Sequence, residues 1–263
     1  MGDVFRTFPF FVMRWKMKIT IFNFDDLYRE QDFYTGRPYQ WIDLTGLTGT
    51  NAYCDKAAAA ELRKVVREEN IELVRFIGSG NYHYLSCFFL EQVKEPCSLV
   101  ICDHHTDMLP ARFPELLSCG CWVKRALDEC PNIREVLIVG VREDLICAIE
   151  KKYRSRVFCY SDKRIGGSDD WMPFALSHVH YPAYLSLDKD VFTTAAVDTN
   201  WDQGSLTLEQ FQKITSCLFN RQTVLGVDIC GENPRADQKK NNDFNRILLR
   251  YLEDENKPLS MAV

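Results

Sequence analysis

The sequence predicts an α/β protein, a three-layer αβα sandwich around a mostly parallel central sheet. Three observations lead there. Short apolar runs alternate along the chain with stretches of helical periodicity. The apolar runs are nearly continuous, as in strands covered on both faces. Polar residues of chemical interest fall where those runs end, at the edge where open parallel sheets bind ligands.

The elements follow in order. KITIFNF, residues 18–24, reads as the first strand, and KAAAAELRKVVREEN, residues 56–70, as a helix of mixed charge. IELVRFIGSG, residues 71–80, is a strand running into glycines, and SLVICD, residues 98–103, is a second apolar strand. A helix over CWVKRALDEC (121–130), a strand over EVLIVGV (135–141) and a helix over REDLICAIEKKY (142–153) come next. RVFCY (156–160) and AYLSLDKD (183–190) are strands. LTLEQFQKITSCLF (206–219) is a helix, TVLGVDIC (223–230) a strand and NNDFNRILLRYLEDE (241–255) the closing helix. Strand and helix in alternation imply parallel strands joined by crossover helices. With no repeat and no linker, residues 1–263 read as one domain, and residues 1–16, ahead of the strand that Met17 opens, as a candidate N-terminal extension.

Composition narrows the function. The net charge of -5 and the lack of a basic run argue against a nucleic-acid partner. No apolar run approaches the ~20 residues that span a bilayer. Eleven cysteines, with no CxxC pair, read as free thiols of a reducing compartment, so a cytoplasmic location is expected.

The chemistry concentrates in LVICDHHTDM, residues 99–108. In a chain leaving a strand, Asp103, His105 and Asp107 alternate toward one side and His104 toward the other. YLSLDKDVF repeats the spacing with Asp188 and Asp190, and GSGNYH places His83 after a strand and a glycine turn. Four carboxylates and two imidazoles repel and perturb one another unless positive charge sits among them, and two divalent cations would supply it. A mixed nitrogen and oxygen donor set suits first-row ions such as Mn, Fe or Zn. Two such ions would turn a bridging water into a hydroxide nucleophile near neutral pH.

These segments resemble the ureohydrolase family, which includes arginase, agmatinase and formimidoylglutamase. The family's marks are a glycine-rich segment ending in His, then DAHxD, SxDxD and D-x-x-E-x-N-P. GSGNYH, DHHTD, SLDKD and GVDICGENP match them in the same order, and SCGCWVKRAL is similar to the family's SHGTxxRRA. The resemblance covers roughly residues 71–234 and implies an arginase/deacetylase-like fold. It implies one metal on His83, Asp103, Asp107 and Asp188 and another on His105, Asp103, Asp188 and Asp190, with Mn2+ the usual ion. The implied reaction is hydrolysis of a linear C–N bond in a guanidino, amidino or related small molecule by a metal-bridging hydroxide, which Asp107 positions. A homo-oligomer, trimer or hexamer, is implied as well.

Two departures stand out. The family's proton-shuttling histidine falls at Cys119, with His178 and His180 as candidate substitutes. Its guanidinium-gripping glutamate falls at Gly231, with Glu232 one residue on. Asp107, Cys119 and Glu232 are therefore the catalytic candidates, and arginase or agmatinase activity itself is not expected. The same departures leave open a metal-holding pseudoenzyme or binding protein of this fold. VICDHH also resembles the DHH phosphoesterases, although no early DxD motif precedes Asp103. Histone-deacetylase-like hydrolases share a related fold but not the second full ligand set. Loops 46–54, 110–118 and 161–174 are the expected specificity elements.

Overall fold

The computed structural model describes residues 17–113, 115–166 and 168–255, so the candidate extension at residues 1–16 lies outside the described residues. The chain runs through β1 (Ile19–Asn23), β2 (Tyr39–Asp43) and a short β3 (Tyr53–Cys54) into α1 (Lys56–Glu68). Asp55 starts α1 as its N-cap, its carboxylate accepting from the Ala58 amide at 2.8 Å. β4 (Val74–Phe76), α2 (Leu85–Leu90), β5 (Cys97–Cys102), β6 (Leu117–Ser118) and α3 (Trp122–Glu129) follow. Then come β7 (Ile133–Val141), α4 (Glu143–Ile146), β8 (Val157–Ser161), α5 (Asp162–Ile165) and α6 (Met172–Leu176). The chain continues through β9 (Ala183–Asp188), α7 (Leu208–Arg221), β10 (Val224–Cys230) and α8 (Gln238–Glu255). Thr207 and Gln210 cap α7 reciprocally.

Eight strands form one sheet in the order β2-β1-β4-β10-β9-β5-β7-β8, and every pairing is parallel. β3 and β6 form a separate antiparallel pair. Strand alternation splits the core into two layers. Leu99 and Ile101 of β5 meet Leu62, Phe88 and Trp122 from α1, α2 and α3 on one face. Val100 and Cys102 belong to the opposite layer, with Ala175, Phe211 and Leu248 from α6, α7 and α8. Burial on both faces is the reason β5 reads as an unbroken apolar run. The αβα sandwich expected from the sequence is the fold observed. Among the described residues, no helix is long and apolar enough to cross a membrane.

One element differs from expectation, and two carry no sequence signal strong enough to read. The helix expected over 142–153 contracts to α4 and a 3-10 turn at Lys151–Tyr153. α4 buries none of its residues, so little packing energy sustains a longer helix there. The edge strand β2, with Ile42 its one fully buried residue, carries too weak an alternation to stand out. All six residues of α2, LSCFFL, are buried, and a short apolar run of that kind reads equally as strand or helix.

The closing helix is tied to the sheet by a polar network as well as by leucines. Lys189, just after β9, is fully buried and pairs with the fully buried Glu232, just after β10, at 2.5 Å. Asn245 of α8 donates to Glu232 Oε1 at 2.7 Å, Asn241 donates to Oε2 at 2.9 Å and Gln31 donates to Oε2 at 3.1 Å. Removing one partner of such a pair leaves a buried charge without compensation. Lys189→Met is therefore expected to lower the unfolding free energy by about 3–5 kcal/mol in urea titrations. A change below about 1 kcal/mol would contradict the role given to the pair.

Candidate metal centre

The four central strands β4, β10, β9 and β5 are neighbours, and their carboxyl ends deliver the polar residues to one place. Asp103 directly follows β5, β9 ends in Asp188, and the turn after β4 carries His83. All six expected ligands, His83, Asp103, His105, Asp107, Asp188 and Asp190, gather at this edge. His83 Nδ1 lies 3.3 Å from Asp103 Oδ2, 3.1 Å from Asp107 Oδ2 and 3.6 Å from Asp188 Oδ2. His105 Nδ1 lies 2.9 Å from Asp190 Oδ2 and 3.5 Å from Asp103 Oδ1. His104 turns the other way, its ring Nδ1 3.1 Å from the Gly140 carbonyl.

The local chain geometry enforces these directions. Asp190 lies in a 3-10 turn at Lys189–Val191, and its amide donates to Asp188 Oδ1 at 3.0 Å. This turn sends both aspartates to the site and Lys189 behind it. Asp107 adopts φ of +50°, a left-handed conformation that aspartate tolerates better than most residues. The start of α3 grips it twice. The Val123 amide donates to the Asp107 carbonyl at 3.0 Å, and the Trp122 indole donates to Asp107 Oδ2 at 2.6 Å.

The tautomer of His83 follows from its neighbours. Ser186 Oγ donates to Asp228 Oδ1 at 2.7 Å, because an ionised carboxylate only accepts. Ser186 Oγ is then left to accept from His83 Nε2 at 2.9 Å. A neutral His83 so bound turns the Nδ1 lone pair toward three carboxylates. Nδ1 is buried and makes no hydrogen bond. A lone pair facing lone pairs is repulsive unless a cation stands between them, so this donor set fits a divalent ion. His105 repeats the design, with Nε2 2.9 Å from Asp202 Oδ1 while Nδ1 faces Asp103 and Asp190.

Electrostatics shows what protons do in a cation's place. Burial opposes a charged imidazole at both histidines, but Cys230 followed by Asp103 and Asp107 at His83, and Asp103 and Asp190 at His105, outweigh it and raise both above the ordinary histidine value. Burial, then the Asp103 charge, pushes Asp107 up to about 6. Burial, then Asp188 and Asp103, raises Asp190. At Asp103 burial also pulls upward, yet the neighbouring His105 and His83 hold the carboxyl below the usual range.

Above the ligands opens a cavity of about 380 Å³. Its floor includes Asp103, His105, Asp107, Asp188 and Asp190. Cys119 lines the wall, and burial followed by the Asp107 charge pushes its thiol up to about 12. Glu232 does not line the cavity. Gly231 has φ of +91°, and a Cβ there would meet Asp188 Oδ1 at 2.4 Å. No side chain fits at position 231, and the chain turns Glu232 to the back, onto Lys189. His178 and His180 precede β9 and so stand at the opposite edge of the sheet, a strand length or about 20 Å from the site. His178 stacks on Phe158 and His180 pairs with Glu135. Of the expected specificity loops, 46–54 contributes Ala52 and Tyr53, 110–118 contributes Ser118, and the described part of 161–174 contributes nothing. Arg142, Leu145, Trp201 and Asp202 take that place. No spacing in the sequence announced Asp202 or Asp228, which meet the site only through the fold.

Comparison with known proteins agrees with this architecture. The model of the arginase family matches residues 42–247. An uncharacterized protein of Thermotoga maritima is 34% identical over 179 residues, covering 68% of this chain. The match spans 66% of that relative's own length, just under two thirds. The formiminoglutamase of Trypanosoma cruzi, solved with Mn2+, superposes with a TM-score of 0.69 at 11% identity, covering 92% of this chain and 95% of that one. The proclavaminate amidino hydrolase of Streptomyces clavuligerus gives 0.65 at 16% identity, covering 92% of each chain.

Two outcomes are expected. Metal ions must displace protons from groups such as Asp107, so Mn2+ affinity measured by calorimetry will fall as the pH drops from 7.5 through about 6, with protons released on binding. Affinity independent of pH would contradict this charge balance. Ser186→Ala removes the group that orients His83 and is expected to weaken Mn2+ binding on the order of 10- to 100-fold. Unchanged affinity would show that the Asp228–Ser186–His83 chain does not orient a ligand.

Proposed function

The chain belongs to the arginase family, and on that premise we propose that it is a binuclear metal-dependent hydrolase of a linear C–N bond in a guanidino, amidino or related compound. The observation that carries this reading is the buried His83 Nδ1, locked in its tautomer and facing three carboxylates. One ion would be held by His83, Asp103, Asp107 and Asp188, and the other by His105, Asp103, Asp188 and Asp190. Mn2+ is the proposed ion, since the donors are nitrogen and oxygen and a structural neighbour was solved with it. When bound, the pair would supply a water acidified to near neutral pKa and an electrophilic pull on the substrate carbon.

The chain's own residues divide the remaining work. Asp107 presents Oδ2 to His83 and Trp122, which leaves Oδ1 to orient the attacking water and take its proton. Cys119 keeps its proton near neutral pH and cannot accept one as an imidazole would. Proton traffic is therefore assigned to Asp107 alone. Glu232 is assigned to the buried Lys189 network instead of the substrate. Eleven free cysteines, seven of them buried, support a reducing, cytoplasmic setting. A trimer or hexamer is proposed on the family resemblance.

The test is a panel of guanidino, amidino and ureido compounds offered to the Mn2+-loaded protein, with released ammonia or urea measured. Asp107→Asn keeps an acceptor for Trp122 but no base, and kcat on any active compound is expected to fall about 10²- to 10⁴-fold. A loss below tenfold would remove Asp107 from the chemistry. A panel with no turnover in the metal-loaded protein would leave a binding protein of this fold.

A further inference from the structure

The cavity wall above the ligands is unusual in its charge. Arg142 is the one Lys or Arg side chain among the described lining residues, and two acids, Asp144 and Asp202, counter its charge. Nε and Nη2 donate to Asp144 at 2.7 and 3.2 Å, and Nη1 donates to Asp202 at 2.6 Å. Asp202 uses its other oxygen on His105 Nε2. A carboxylate or phosphate entering here would find the one basic side chain already paired with two acids and would face Asp202 as well. A guanidinium group meets no net repulsion, since Asp202 offsets the charge of Arg142 on this wall.

The rim is apolar. Tyr53, Leu109 and Trp201 are 45%, 50% and 41% exposed, and they are three of the seven exposed large hydrophobic side chains among the described residues. All three line this one cavity. Exposed apolar side chains that converge on a pocket mark a binding surface. Trp201 stands beside the chemistry. A Cβ on Gly80 would lie 3.0 Å from Trp201 Cδ1 and 2.8 Å from Asp188 Oδ2, so glycine lets the indole and the ligand carboxylate share that wall. The indole is fixed in place, with Nε1 donating to Asn81 Oδ1 at 3.1 Å and its ring meeting His105 edge-on at 5.8 Å. Asn81 in turn donates to Asn51 at 2.8 Å and accepts from Asn200 at 3.1 Å, clamping three loops together.

We infer that the substrate is a guanidine or amidine whose substituent is uncharged and flat or branched-apolar, packed on Trp201, and carries no carboxylate. This rests on the hydrolase reading above. It narrows that reading, because a free amino acid with its α-carboxylate would be refused.

The experiment compares phenylguanidine with 4-guanidinobutyrate on the Mn2+-loaded protein, by turnover, competition and thermal shift, in the wild type and in Trp201→Ala. The expected result is at least about tenfold tighter apparent binding of phenylguanidine, a preference mostly erased by Trp201→Ala at unchanged metal content. Preference for 4-guanidinobutyrate, or a ratio untouched by Trp201→Ala, would overturn the inference. The two readings fail separately. Turnover that favours 4-guanidinobutyrate keeps the hydrolase and discards the apolar substituent. Phenylguanidine binding that depends on Trp201, with no turnover of any compound, keeps the recognition and discards the hydrolase.

Discussion

Four aspartates and two histidines converge at one end of a buried sheet, and their mutual repulsion is the constraint that the surrounding structure answers. Asp103, Asp107, Asp188 and Asp190 are each at most 7% exposed, so water cannot screen them. Positive charge must come from protons or from cations. Protons are held on His83 and His105, and Asp107 and Asp190 give up their protons reluctantly. Cations satisfy the same oxygens without neutralising them. The orientation of His83 decides which is intended, because Ser186 and Asp228 spend one ring nitrogen to aim the other.

The fold makes this concentration of charge tolerable by dividing labour across the turns. In the segment 188–190, the two acids face the cavity and Lys189 faces α8, where Glu232 receives it. That Glu232 is available depends on Gly231, whose left-handed backbone swings the next side chain away from Asp188. The one-residue displacement from the family pattern and the lysine between the two aspartates therefore belong together. The acid that the resemblance would place in the pocket pairs, in this chain, with the lysine between Asp188 and Asp190.

Much of this was legible in the sequence. β5, β7 and β9 are read as strands because burial on both faces makes them continuously apolar, and period two then sorts Asp103, His105 and Asp107 from His104. The candidate ligands are local in sequence, three from one segment and two from another, so spacing points to them. What stayed hidden is long-range. Asp202 reaches His105 across 97 residues and Asp228 reaches Ser186 across 42. The side chosen by Glu232 depends on one backbone angle. α4 was expected too long and α2 went unread because four- to six-residue elements span less than two helical turns, too little for a periodic pattern to emerge.

The measurement that tests this account most directly is the metal content of the purified protein after chelation and again after soaking in manganese, by elemental analysis. The account predicts about two divalent ions per chain, with the fold intact in both states. One ion per chain would break the shared roles of Asp103 and Asp188. No bound ion, with the fold intact, would contradict the reading that the cluster of acids and imidazoles exists to hold metal.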